Sequence, residues 1–238
     1  FGDKQVGFSL GGKIVQNKAF FFSNFDWARK NTPVGFSADG SSGQPFGTPG
    51  NVQQVVDIAN KTYGYDPGGL GEFSRPNNSD KMFGRLDFNL SAKNQLTVRV
   101  NYVNGTAYIG TQSSTYYNMP DHFYSIGDKM LSSVVQWNSS FGQFFNELRV
   151  VYSRERNKRG DQPGYSAFPE VTVYMPDGAS QVTLGTEYSS QANALNQDIV
   201  QLSDDVTMVK GRHTISLGTQ NEFYKVYNLF IQYLYGGY

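Results

Sequence analysis

The sequence predicts an all-β chain: an antiparallel, up-and-down transmembrane β-barrel segment of about eight strands, an open partial barrel with one short helix in its first long external loop. Three observations predict it. Aromatic residues are abundant (15%, with 18 Phe and 16 Tyr), while charged residues make up only 17% of the 238 residues. Long segments alternate apolar and polar residues with period two. The connections between those segments alternate between short and long. A polar average (mean hydropathy −0.48) with many aromatics and few charges is what alternating strands give when one face meets lipid and the other meets water.

The first strand runs roughly from Gln5 to Gly11, with Val6, Phe8 and Leu10 opposed to Gly7 and Ser9. The second, roughly Lys18 to Lys30, opposes Phe21, Phe25 and Trp27 to Asn24 and Asp26. The third, Asp80 to Leu90, places Met82, Leu86, Phe88 and Leu90 against Arg85, Asp87 and Asn89. The fourth, Gln95 to Tyr108, places Leu96, Val98, Val100 and Tyr102 against Thr97, Arg99 and Asn101. The fifth, Ser125 to Ser140, sets Leu131, Val135 and Trp137 against Ser132, Gln136 and Asn138. The sixth, Phe145 to Lys158, sets Leu148, Val150 and Tyr152 against Glu147, Arg149 and Ser153. The seventh, Asn196 to Val209, sets Val200, Leu202, Val206 and Met208 against Gln201, Ser203, Asp205 and Thr207. The eighth, Arg212 to Tyr227, sets Ile215, Leu217 and Phe223 against Thr214, Ser216, Gln220 and Glu222. Every segment is rich in β-branched or aromatic residues and lacks the helical period.

The short connections are expected at 12–17, 92–94, 141–144 and 210–211, and the long ones, read as external loops, at 31–79, 109–124 and 159–195. Segregation of loop length by parity is a property of up-and-down outer-membrane barrels, which have short periplasmic turns and long external loops. In the first long loop, Asn51 and Gln54 have capping-box spacing, Val52, Val55, Val56 and Ala59 fall on one helical face, and Gly64 can end the helix.

Composition also excludes classes. Twenty Lys+Arg balance twenty Asp+Glu, which argues against a nucleic-acid binder. The absence of Cys removes disulfides and thiolate chemistry, and two His make a His-rich metal site improbable. No apolar run approaches the ~20 residues of a membrane-spanning helix. Residue 1 is Phe, with no leader-like segment after it, so the chain is expected to be processed or a fragment.

The segment FSLGGKIVQNKAFFFSNFDW at 8–27 resembles the first barrel hairpin of TonB-dependent outer-membrane receptors of the Oar-like type. In that family the turn usually reads Gly-Gly-Pro-Ile and the strand Phe-Phe-Phe-x-Asn-Tyr-Glu; here Lys13 stands in place of the Pro, and Phe25 and Asp26 in place of Tyr-Glu. YGYDPG (63–68), RPNNSDK (75–81), RLDFNL (85–90), NQLTVR (94–99), FNELR (145–149) and GRHTI (211–215) resemble the same family in the same order. The resemblance implies a plugged barrel of about 22 strands, of which residues 1–238 would be the N-terminal part, with the plug and the remaining strands absent. It further implies the cell outer membrane of a Gram-negative bacterium, uptake of a scarce bulky ligand (siderophore, oligosaccharide or peptide), and energy delivered by the TonB complex through the plug. Two other architectures stay open: a complete small eight-stranded structural or adhesive barrel, and a soluble β-sandwich carbohydrate-binding module.

No residues assemble the roles of a catalytic site. Asp204 and Asp205 are adjacent in a strand and so face opposite ways, and His122 and His213 have no partner by pattern. Neither an enzyme, a metal nor a cofactor is therefore expected. Three groups are candidates for binding. Arg85, Asp87, Arg99, Glu147, Arg149, Asp205 and Glu222 should face the lumen, as a plug contact or solute path, or simply as a wetted wall with cross-strand ion pairs. Arg154, Arg156, Lys158 and Arg159 gather at the long-loop end of the sixth strand, where they could meet lipopolysaccharide phosphates or only solvent. Tyr63, Tyr65, Tyr116, Tyr117 and Phe123 lie in the external loops, as ligand contacts or as loop packing.

Overall fold

A computed structural model describes residues 1–44, 46, 49–161 and 164–238; residues 45, 47, 48, 162 and 163 of the expected first and third long loops lie outside the described residues. In chain order the elements are β1 (Gly2–Val15), β2 (Ala19–Pro33), α1 (Pro49–Tyr63), β3 (Ser74–Ser91), β4 (Asn94–Ile109), β5 (Tyr116–Asn118), a 3-10 turn (Pro120–His122), β6 (Tyr124–Phe141), β7 (Phe144–Asp161), β8 (Val171–Tyr174), β9 (Gln181–Leu184), β10 (Ala192–Lys210) and β11 (His213–Ile231). Eight long strands form one antiparallel sheet in the order β1-β2-β3-β4-β6-β7-β10-β11. Each neighbours the next in sequence, as an up-and-down wall requires. β1 and β11 do not pair with one another, so the sheet is open and the complete eight-stranded barrel is not formed.

The wall strands are 14 to 19 residues long, against the ~9–11 that a tilted strand needs to cross hydrocarbon. Their tight turns all lie at one end. Asn17 takes the left-handed conformation in the first, and Gly142 and Gly211 do so in the two-residue hairpins between β6 and β7 and between β10 and β11. The first strand extends further into its hairpin than expected: residues 12–15 belong to β1, and an irregularity between Lys13 and Val15 absorbs the register change.

The register settles which residues share a face, because directly opposed residues point the same way. Phe21, Leu86, Val98, Val135, Val150 and Leu202 form one cross-strand row. Phe25, Met82, Tyr102 and Leu131 form another. Among the described residues nothing packs over them: Val135 and Trp137 are 45% and 46% exposed, and Ile215 is 56% exposed. Val98, Leu148 and Ile215 therefore do not meet in a dry space between two layers, which rules out the β-sandwich. Along β6 the outward series from Leu131 to Phe141, apolar except at Ser133 and Ser139, spans ten residue steps. At ~3.3 Å per residue and a tilt of ~40°, this is a band ~25 Å tall, the height of a barrel's lipid-facing surface.

The buried apolar core lies elsewhere. Ala38, Phe46, Val52, Val56, Ala59, Tyr65, Tyr117, Met119, Met175, Val182 and Leu184 form it, and all come from the long connections. The loops fold together as a cap. Helix α1 comes from the first, β5 and the 3-10 turn from the second, and β8 and β9 from the third. β5, β9 and β8 join in a small sheet that no single loop could build. Helix α1 starts at Pro49, two residues before the expected Asn51 cap. Proline suits a first helical position, having no N–H to leave unsatisfied. At the other end Gly64 stands at φ +63° and donates to the Asn60 carbonyl at 3.0 Å.

Candidate functional site

The seven lumen candidates share one face of the wall. Arg85 lies directly opposite Arg99, Asp205 opposite Glu147, and Asp87 lies in the row through Thr97, Gln136 and Arg149. Because period two puts residues i and i+2 on one face, Arg85 reaches Asp87 along its own strand through Nε (2.7 Å) and Nη2 (2.8 Å). Thr97 also donates to Asp87, at 2.8 Å. Arg149 pairs with Glu147 in the same way, and Gln136 donates to Glu147 at 3.0 Å. Glu222 accepts from Gln201 and Gln220 on the last two strands, apart from the others. The Asp205 carboxylate lies over Gly218, where a Cβ would stand 1.9 Å from its oxygen. The inner face thus holds a polar recess of about 520 Å³ lined by Phe20, Arg85, Asp87, Gln95, Thr97, Arg99, Gln136 and Asn138, among others. Arg99 Nε in the recess, and Arg149 Nε opposite Gln136, are shielded atoms without a hydrogen-bond partner among the described residues.

The basic group divides by parity. Arg154, Arg156 and Lys158 share the outward face with Tyr152 and Val150. Arg159 does not. It faces the cap, with its guanidinium 4.4 Å from the Tyr124 ring, donating to Ser189 Oγ at 2.7 Å and Tyr124 Oη at 3.1 Å, and standing 3.8 Å from Glu187. Its expected place beside the other three is corrected by the period of the strand.

The loop aromatics divide between the two readings. Tyr117 and Phe123 are buried, at 0% and 1% exposure, and Tyr65 is buried too, so they hold the cap together and present no ring to solvent. Tyr117 packs on Phe46 (5.4 Å between centroids), Phe123 meets Phe73 edge-on (4.5 Å), and Tyr65 stacks on Phe168 (3.9 Å, 11°). Gly110 leaves room for Phe123: a Cβ there would fall 2.2 Å from the ring. Tyr116 is half-buried in β5. Tyr63 is exposed, and it lines an apolar trough of about 590 Å³ on the cap with Val55, Ile58, Phe168, Val171, Val173 and Tyr238.

Beneath the trough the three loops are tied by a buried polar knot that pattern reading missed. Asp121 Oδ2 accepts from Tyr65 Oη and from the Gly185 N–H, both at 2.6 Å. Its neighbour His122 donates from Nδ1 to the Gly185 carbonyl at 3.0 Å; a carbonyl can only accept, which fixes the tautomer. Gly185 sits at φ +87°, with the Pro169 carbonyl 1.9 Å from where a Cβ would be, so only glycine fits. Burial pushes the Asp121 carboxyl up to about 7, against the lowering effect of the Tyr65 and Gly185 hydrogen bonds. Burial pushes His122 down, so it is neutral at pH 7. Its Nε2, 3.9 Å from Glu170, is accordingly a polar neighbour of that carboxyl and not half of an ion pair. The Glu170 and Tyr165 groups are raised, chiefly by the same burial. No local signal marks this cluster; only the adjacent Asp121 and His122 inside an aromatic-rich loop hint at it.

Comparisons agree with this geometry. The crystal structure of the outer membrane transporter YddB from Escherichia coli is similar over 94% of this chain and 26% of that one, with a TM-score of 0.63 and 9% identity. At that identity the likeness is one of fold, and the chain spans about a quarter of that structure. No curated protein sequence matches. A family model described as outer membrane beta barrel domain matches residues 51–238. The wall is therefore an outer-membrane wall, and the chain belongs to the outer membrane beta barrel domain family.

Proposed function

We propose that this chain is part of a TonB-dependent outer-membrane transporter that takes up a scarce, bulky ligand. The observation that carries the reading is the inner wall: a polar recess lined by Arg85, Asp87, Arg99 and Gln136, with the partly exposed Arg149 opposite Gln136. An open aqueous pore would hydrate such groups. A domain seated in the lumen would pair them, as the Oar-like resemblance implies for a plug. The cap supplies the other half of the reading. Its exposed trough, with Tyr63 at the edge, suits the apolar part of a ligand arriving from outside. Transport on this reading needs no bond chemistry in the wall, because the work is delivered from the inner membrane through the plug.

The experiment uses the full-length protein. Its gene and, separately, tonB are deleted in the native host. Growth is then scored on siderophore-bound iron, on oligosaccharides and on peptides as limiting sources. A substrate whose use is lost in both strains, and restored by complementation of each, is the expected result. Uptake lost with the gene but unaffected by loss of tonB would overturn the energised reading.

A further inference from the structure

We propose that the outward face of β6 and β7 carries a binding site for the phosphorylated headgroup of an outer-leaflet lipid, formed by Lys129, Arg154 and Lys158 over an apolar floor of Tyr102 and Leu131. The register puts these side chains on the lipid side. Tyr102 lies opposite Leu131 and Leu131 opposite Arg154, while Lys129 lies opposite Arg156 and Gly127 opposite Lys158. Lys129 and Arg154 border a cleft of about 210 Å³ lined by Tyr102, Lys129, Met130, Leu131, Arg154 and Arg156, and Lys158 stands one outward position beyond Arg156 on the same strand.

Charge adds to the case, because here cations outnumber carboxylates. Like charges directly opposed across strands destabilise a sheet unless something neutralises them, and Lys129 faces Arg156. The nearby outward carboxylate is Asp198, opposite both Arg154 and Lys225. Both of its oxygens already accept from Arg156 Nη2, at 2.7 and 2.9 Å, and one of them accepts from Tyr152 Oη at 3.0 Å. Four cations on β6 and β7 thus meet one occupied anion. Lys129, Arg154 and Lys158 make no hydrogen bond or ion pair among the described residues and extend into the open.

Position selects the ligand. The cations stand immediately on the long-loop side of the outward apolar band, at the height where acyl chains give way to headgroups. A phosphate held here by charge-assisted hydrogen bonds would have its acyl chains running down over Leu131, Val135 and Trp137. A soluble anion has no use for that floor.

The test takes the full-length protein in detergent and adds lipid A in mixed micelles, reading bound lipid by native mass spectrometry. Wild type is expected to bind lipid A. The triple variant K129Q/R154Q/K158Q should lose at least tenfold in affinity, while K129R/R154K/K158R retains binding. Dephosphorylated lipid A should bind no better than the triple variant binds lipid A, and inorganic phosphate should not compete. Heat-modifiable migration on gels checks that each barrel is folded; if the triple variant fails it, Lys129→Gln and Arg154→Gln are read singly. Equal binding by the neutral variants, equal binding of the dephosphorylated lipid, or full competition by inorganic phosphate would each overturn the assignment.

Discussion

Replacing Asp121 by Asn should remove a pH dependence from the cap without removing its hydrogen bonds. The amide oxygen of Asn can accept from Tyr65 and Gly185 as the carboxylate does, at the same 2.6 Å geometry. What changes is titration. In the folded cap burial raises the acid from 3.8 to about 7, whereas in an opened cap it is hydrated and ordinary. A carboxyl raised by folding contributes stability that is complete below the unfolded value and is lost as pH rises through the folded one, here between about pH 4 and pH 7. At ~1.4 kcal/mol per tenfold change in proton affinity, the loss is at most about 4 kcal/mol. His122, held below its ordinary value, acts in the opposite sense and loses stability as pH falls, but it is present in both proteins and cancels in their difference. Hydrogen exchange of the full-length protein in detergent, followed on peptides covering 116–123 and 181–191, measures the opening free energy. The advantage of Asp121→Asn over wild type should grow steadily from pH 4 to pH 7. A difference that stays constant across that range, or that shrinks as pH rises, would refute the argument that the buried carboxyl pays a charging cost.

Val135→Arg, on the outward face, should cost ~2–4 kcal/mol in urea unfolding of the full-length barrel from lipid vesicles, whereas Gln136→Arg, one residue on and facing the lumen, should cost under ~1 kcal/mol. Gly185→Ala should destabilise the cap by more than ~2 kcal/mol, because both its φ and the Pro169 carbonyl exclude a methyl group; limited proteolysis should then cut residues 164–191 while heat-modifiable migration persists. Tyr65→Phe should cost the cap ~1–2 kcal/mol by removing the donor to Asp121, read by the same exchange peptides.

What the sequence made legible is what period two encodes. Alternation in a strand is local, so the faces of Arg85, Gln136 and Leu148 could be read one segment at a time, and pairing then followed from chain order. The same rule, applied strictly, would have separated Arg159 from Arg154, Arg156 and Lys158; proximity in sequence obscured it. Asn51 and Gln54 imitate a capping box, while the residue that starts the helix, Pro49, stands two places earlier. The cap was illegible for a different reason. Its contacts join residues far apart, such as Phe46 with Tyr117 and Asp121 with Gly185, and no window of sequence contains both members. Aromatics in a loop look the same whether they meet solvent or other rings, and here Tyr65, Tyr117 and Phe123 pack on Phe168, Phe46 and Phe73.

The shared sheet of β5, β9 and β8 carries a consequence for how such a cap can change. Recognition surfaces made of independent loops can be altered by lengthening or replacing one at a time. Here one connection supplies β5 and another supplies both β8 and β9, while a third contributes the helix that seals them. An insertion in any of them disturbs the footing of the other two. Change in this cap should therefore arise by substitutions along the rim of the trough, where Ile58 and Tyr63 are already exposed, or by exchange of the three loops as a set.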